Sequence, residues 1–420
     1  MPVEPLQRYL DAVNNDEGLR DDFILYMDFE EYTKFPDPFP RTRFSVKEAE
    51  ASIYRYPNPE KAGELFRWDI HGRLLMPEKA SMPGVAVVMI HGGAANEYEF
   101  LFTPDGPEKY LDLTQEAPEK SRVGIAQHMA SLGIPVLAIS LPGHYSRKPW
   151  PPVSERLFEF VIGEVPDEVE LKNRLAVYTF RMCLEAVKAL IEKALPGYGL
   201  YMWGHSTGGE FFYLMEQYGI KNKLIGGLGF GTGMPGGMSK EFNRVESGQT
   251  LEQRAGKFRS ITGITRRSPE EYFETGCVGS NQPWGSAESW FSLEDHRRPQ
   301  IKPFLQYIEH NGLDLLLDDV RKLSGLPDDE LFICNRADLG RLRNKKMLYF
   351  VGELDKGHWL TNAKRGHESR REVYASRGLA KFAKKMRLVV LGGLTHYGHI
   401  ESHNERLANM MVTAFKHYFE

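Results

Sequence analysis

Six short, continuous apolar runs constrain this chain more than any other feature: 85–90 (VAVVMI), 136–141 (VLAISL), 200–203 (LYMW), 224–230, 347–351 (MLYFV) and 388–391 (LVVL). Runs of this length, apolar on both faces, are strands of a parallel sheet covered on both sides. Helical patterns lie between them. Residues 125–132 follow one run; in 168–195, Leu171, Leu175, Tyr178, Met182 and Ala186 recur at spacings of three and four. Residues 209–218 follow the 200–203 run, and 404–418 close the chain. Alternation of this kind implies right-handed crossovers and an α/β, mostly parallel, doubly wound sheet. Two earlier stretches, 51–56 and 64–76, alternate apolar and polar residues and read as half-exposed strands.

At 420 residues the chain suits one catalytic domain carrying a large insertion, or two domains. About 110 residues separate Phe230 from Met347 and break the alternation; a span that long in a compact domain reads as an inserted, mainly helical cap. The expected organisation is an N-terminal extension over 1–47, core over 48–230, cap over 231–345 and core again over 346–420. Residues 1–47 offer a helix near 6–13, Pro-rich turns at 35–40 and little else. The formal net charge of −4 argues against an electrostatic nucleic-acid binder. Cys183, Cys277 and Cys334 form no CxxC pair and no disulfide framework, which suits a reducing compartment. The start of the chain has no apolar signal-peptide core, and no apolar run reaches the ~18 residues of a membrane span. A cytoplasmic protein is the expectation.

The chemistry concentrates at Gly204-His205-Ser206-Thr207-Gly208, a G-x-S-x-G match set between an apolar strand and a helical pattern. A sharp strand-to-helix turn strains the backbone at the serine, and small flanking residues let strand and helix approach. The helix N-terminus then offers free N–H groups to an oxyanion beside Ser206. His91-Gly92-Gly93 follows the 85–90 strand; glycines there leave backbone N–H groups open to a carbonyl oxygen. With Thr207, Gly92 and Gly93 are the expected oxyanion-hole donors. Gly352-Glu353-Leu354-Asp355 follows the 347–351 strand and supplies a carboxylate able to orient a histidine, Asp355 ahead of Glu353. His396 stands after the 388–391 strand and the turn Gly392-Gly393, with His399, Glu401 and His403 nearby. A base is needed because serine at its free pKa is a poor nucleophile.

The order Ser206, Asp355, His396 resembles the α/β-hydrolase superfamily. The landmarks are HGG at 91–93, LPGH at 141–144, GHSTGG at 204–209, GELD at 352–355 and GGLTH at 392–396. The resemblance runs from about Ala51 to the C-terminus and leaves out residues 1–47 and the cap. It implies eight strands, a cap after the sixth, and a base at His396 rather than His399. It also implies a carboxylesterase-like serine hydrolase: Ser206 attacks a carbonyl, His396 takes its proton, Asp355 holds the imidazole, and water resolves the acyl-enzyme. A serine at the elbow argues against the dehalogenase and epoxide-hydrolase branches, which use aspartate. Amide, C–C bond and acyl-transfer chemistry use the same triad, and some proteins of this fold are non-catalytic receptors for small molecules.

Two rival signals point elsewhere. Residues 231–236 match G-x-G-x-x-G, but Pro235 resists the helix a dinucleotide site requires, so a cap hinge is the reading. His396, His399 and His403 with Glu401 lack the HExxH order of a zinc site. No cofactor and no metal are therefore expected. Arg254, Lys257, Arg259, Arg266 and Arg267 read as a solvated helix face. Trp284, Trp290, Phe291 and Tyr307 read as cap core, with Trp284 and Trp290 the candidates for substrate contact alongside His91 and His205. The expected partner is a small ester-like molecule, with no nucleic acid and no membrane span; a homodimer is compatible with the sequence.

Overall fold

A computed structural model describes residues 24–27, 29–32, 34–92, 97, 100–101, 123–142, 169, 173, 177, 179–231, 325–326, 345–352, 385–392, 394, 398–399 and 404–417. The strands are β1 (Ile24–Met27), β2 (Phe44–Pro57), β3 (Leu65–Pro77), β4 (Val85–Ile90), β5 (Val136–Ser140), β6 (Gly199–His205), β7 (Leu224–Phe230), β8 (Lys346–Gly352) and β9 (Lys385–Leu391). They form one sheet in the order β1-β9-β8-β7-β6-β4-β5-β3-β2. Six of the eight ladders are parallel; β2 with β3 and β3 with β5 are antiparallel. All six apolar runs are strands, and the two alternating stretches are β2 and β3. β3 matches its pattern to within one residue, while β2 starts seven residues earlier than its own, because it pairs with β3 along its length as a hairpin whose solvent-facing side tolerates charge.

Helices cover both faces. Helices α2 (Ile125–Ser131) and α5 (Asn404–His417) pack on one side, joined by α1 (Phe29–Tyr32). Their core includes Val87, Met89, Trp203, Leu348, Val389, Met411 and Phe415. Helices α3 (Phe180–Ala194) and α4 (Glu210–Tyr218) cover the other side around Val88, Ile139, Met202, Val187 and Phe212. Alternate residues of β4 and β6 thus enter opposite cores, which is why those strands read as continuously apolar.

Two expectations need correction. The helix read as continuous over 168–195 is interrupted at Thr179, whose backbone is extended (φ −118°, ψ 158°). The Thr179 side chain accepts the Met182 N–H at 3.1 Å, so a fresh N-cap starts α3 there. The second correction concerns residues 1–47 and the strand count. The sheet has nine strands, not eight, because Ile24–Met27 joins β9 in parallel register. The following segment is clamped to α5: Asn409 Nδ2 donates to the Phe35 carbonyl at 3.1 Å and to Asp37 at 2.9 Å. Arg41, nearly enclosed, binds Asp37, Glu405 and the Ser131 hydroxyl. The expected helix near 6–13 lies outside the described residues, as does nearly all of the expected cap. Among the described residues no helix is long and apolar enough to cross a membrane.

Candidate active site

The end of β6 sets the site. Its ladder pairs Ile90 with Gly204, so the chain leaves β4 through His91-Gly92 beside the place where β6 leaves through His205-Ser206. Ser206–Gly209 form one turn of 3₁₀-helix and α4 follows directly. This strand–turn–helix needs its glycines. A Cβ on Gly204 would run into the backbone of Gly208 and Gly209, and one on Gly208 into the carbonyls of Ile90 and His91. Those obstacles are backbone, which cannot swing aside, so the elbow is closed to any larger residue at either position. Ser206 therefore stands at the carboxyl edge of the sheet, where open parallel sheets bind their ligands. Thr207 follows it in the same turn, with N–H groups at a helix start.

The loop after β4 is held by His91. Its Nδ1 donates to the Gly92 carbonyl at 2.6 Å, and its Nε2 accepts the Leu141 N–H at 3.0 Å. A carbonyl on one nitrogen and an N–H on the other are compatible with a single neutral tautomer, protonated at Nδ1. The ring is fully buried, so His91 ties the Gly92 turn to the end of β5. His205 is buried too. Its ring lies 4.3 Å from that of His399, tilted by 46°. His399 is enclosed by Trp203, Phe230 and Phe100 at 5.4, 5.6 and 6.1 Å between ring centres. His399 is thus packed among aromatic rings, three positions beyond His396. His396, Asp355, Glu353, Gly93, His403, Trp284 and Trp290 lie outside the described residues.

One residue near the site carried no sequence signal. Glu97 is fully buried, and among the described residues neither carboxyl oxygen has a hydrogen-bond partner. Its N–H donates to the Ser140 hydroxyl at 3.0 Å, at the end of β5 and next to Leu141. Burial pushes its carboxyl from 4.5 up to about 8; its own backbone N–H and Arg73 pull down, and Glu48 pushes up. A lone acid in a polar-looking loop has no periodicity to mark it, so only the folded chain reveals its burial. Among the described residues no group of three or more His, Cys, Asp or Glu is arranged to hold a metal.

The sheet order, with the sharp strand–turn–helix at Ser206–Gly209 after the fifth of the eight core strands, is that of the α/β-hydrolase fold. Many solved structures resemble the chain. One is a probable hydrolytic enzyme from Pseudomonas aeruginosa, 14% identical over 90% of this chain and 95% of its own, with a TM-score of 0.47. Another is a peroxisomal α/β-hydrolase from Saccharomyces cerevisiae, 13% identical over 90% and 88%, at 0.42. An esterase from a Rhodococcus species is 14% identical over 89% and 98%, at 0.41. No family model matches the sequence, and no curated protein matches it.

Proposed function

We propose that this chain is a serine hydrolase that cleaves a carboxylic ester, or a related acyl bond, through Ser206, His396 and Asp355. The observation that carries the reading is the elbow: Ser206 opens a 3₁₀ turn between β6 and α4 that admits only glycine at 204 and 208. A fold has no structural need for a serine at such a turn; a nucleophile there meets substrate at the sheet edge. In this reading His396 removes the Ser206 proton during attack, and Asp355 keeps the imidazole in the required tautomer. The N–H groups of Thr207 and of Gly92 or Gly93 receive the oxyanion, and water releases the acyl group. The cap over 231–345 then sets which acyl and leaving groups enter. The test is a fluorophosphonate probe with mass-spectrometric site mapping. Labelling at Ser206 that vanishes in a folded Ser206→Ala protein supports the reading. Absence of labelling together with tight small-molecule binding would assign the chain to the receptors built on this fold.

A further inference from the structure

We propose that His399 is a positioning residue for the base: it fastens the chain beyond β9 to His205, the neighbour of Ser206, and so fixes how near His396 stands to the elbow. The catalytic consequence rests on the serine-hydrolase reading; the fastening itself does not. Strands β6 to β9 are parallel and end at one edge of the sheet, at His205, Phe230, Gly352 and Leu391. β9 stands three places from β6, about 14 Å at ordinary strand spacing. A histidine that follows β9 and serves Ser206 has therefore to be carried across the ends of β8 and β7. The ladders of β9 reach only β8 and β1, so the sheet itself supplies no such link.

Leu394, Gly398 and His399 trace the crossing. Leu394 is buried three positions after the end of β9. Gly398 passes Phe230, the last residue of β7: a Cβ there would run into the Phe230 ring and the Leu394 side chain. His399 completes the path on β6, its ring centre 4.3 Å from that of His205 and 5.4 Å from that of Trp203. Phe230 and Phe100 close on it at 5.6 and 6.1 Å, and the residue is fully buried. Rings packed on several sides at interior density leave an imidazole little freedom to shift. His396 lies two residues from Leu394 and two from Gly398. Three residues of chain, at most about 10 Å, separate it from His399. One peptide link separates His205 from Ser206. Contact between the two rings thus closes a short circuit of chain that contains both nucleophile and base. The His399 ring is spent on aromatic neighbours, which makes it a fastening and leaves proton transfer to His396.

The test compares the full chain with its His399→Ala, His399→Phe and Gly398→Ala variants in ester hydrolysis and fluorophosphonate labelling, each rate taken per folded molecule. A reacting group misplaced by about 1 Å costs about a hundredfold in rate. His399→Ala should therefore lower kcat about a hundredfold, leave KM within about twofold, and keep the acid limb of kcat/KM against pH, because His396 still titrates. His399→Phe puts a ring back in the slot and should return kcat to within about tenfold of wild type. Gly398→Ala keeps both histidines but lifts the chain off Phe230, and should lower kcat with KM unchanged. If His399→Ala does not fold, Gly398→Ala and His399→Phe decide. Urea melts of His205→Ala, His399→Ala and the double variant should show losses that add to less than their sum, since the two rings share one contact. Wild-type kcat in folded His399→Ala or Gly398→Ala, or strictly additive melts, would overturn the proposal. Loss of the acid limb in His399→Ala, with His399→Phe equally inactive, would make His399 the base itself and overturn it as well. If wild-type Ser206 does not label, the hydrolase reading falls, while the melts still decide the fastening.

Discussion

Glu97→Gln should make the protein more stable at neutral pH and should remove a pH slope. The folded carboxyl titrates near 8 and the unfolded one near 4.5. Between those values the unfolded chain has released a proton that the folded chain keeps. Unfolding is then favoured by about 1.4 kcal/mol for each unit that pH rises. The contribution is fully present below the unfolded value and is lost as pH climbs through the window. By pH 7 the loss amounts to about 3 kcal/mol, and above pH 8 to about 5 kcal/mol, a large fraction of ordinary domain stability. Glutamine copies the neutral acid in shape and cannot ionise, so it matches wild type near pH 4.5 and gains on it above. Urea melts of both proteins at pH 5, 6, 7 and 8 measure this, with the m-value checked to be unchanged. Parallel stability curves for the two proteins would refute the reasoning, because they would mean that Glu97 is solvated or paired when folded.

Other outcomes follow from the site and the frame. His396→Ala should lower kcat by several orders of magnitude, like Ser206→Ala, while His403→Ala keeps most activity; equal losses in ester hydrolysis would displace His396 as the base. Gly208→Ala should cost at least about 1–3 kcal/mol in a thermal or urea melt, since its Cβ meets the carbonyls of Ile90 and His91; a neutral result would contradict the elbow geometry. Arg41→Ala should cost about 2 kcal/mol, because Asp37 and Glu405 lose a shared, nearly enclosed partner; a loss under about 0.5 kcal/mol would show that solvent replaces it. Trp284→Ala or Trp290→Ala should change the ranking of small against bulky esters in kcat/KM more than the melting temperature; a loss of about 3–5 kcal/mol with an unchanged ranking would make them cap core.

The central sheet was legible because burial on both faces leaves a plain mark, as in Val85–Ile90 and Leu224–Phe230, whose limits match the patterns residue for residue. The elbow was legible because steric exclusion leaves glycines at 204 and 208. Strand β1 was not, although ILYM is as apolar as 200–203: it stands outside the strand–helix alternation, and its partner β9 is more than 350 positions away. The break at Thr179 was hidden because apolar spacing continues across it, while the cap is made by one side-chain hydroxyl. Glu97 was hidden for the converse reason: its environment is assembled from β2, β3 and β5 rather than from its neighbours in sequence.

The union of β1 with β9 has a consequence for synthesis on the ribosome. Leu391, which pairs with Met27, is made more than 350 residues after it, so β1 must wait for β9 before it can pair. Until then Tyr32 and Phe35, both destined for full burial, have no α5 to cover them. Closure by such distant segments is slow, because chain ends must meet before any contact rewards them. The segment from β1 to Phe35 therefore stays adhesive while the intervening sheet is made, and it is sealed only when β9 and α5 arrive. Loss of β1 or of α5 should leave the same unsealed seam.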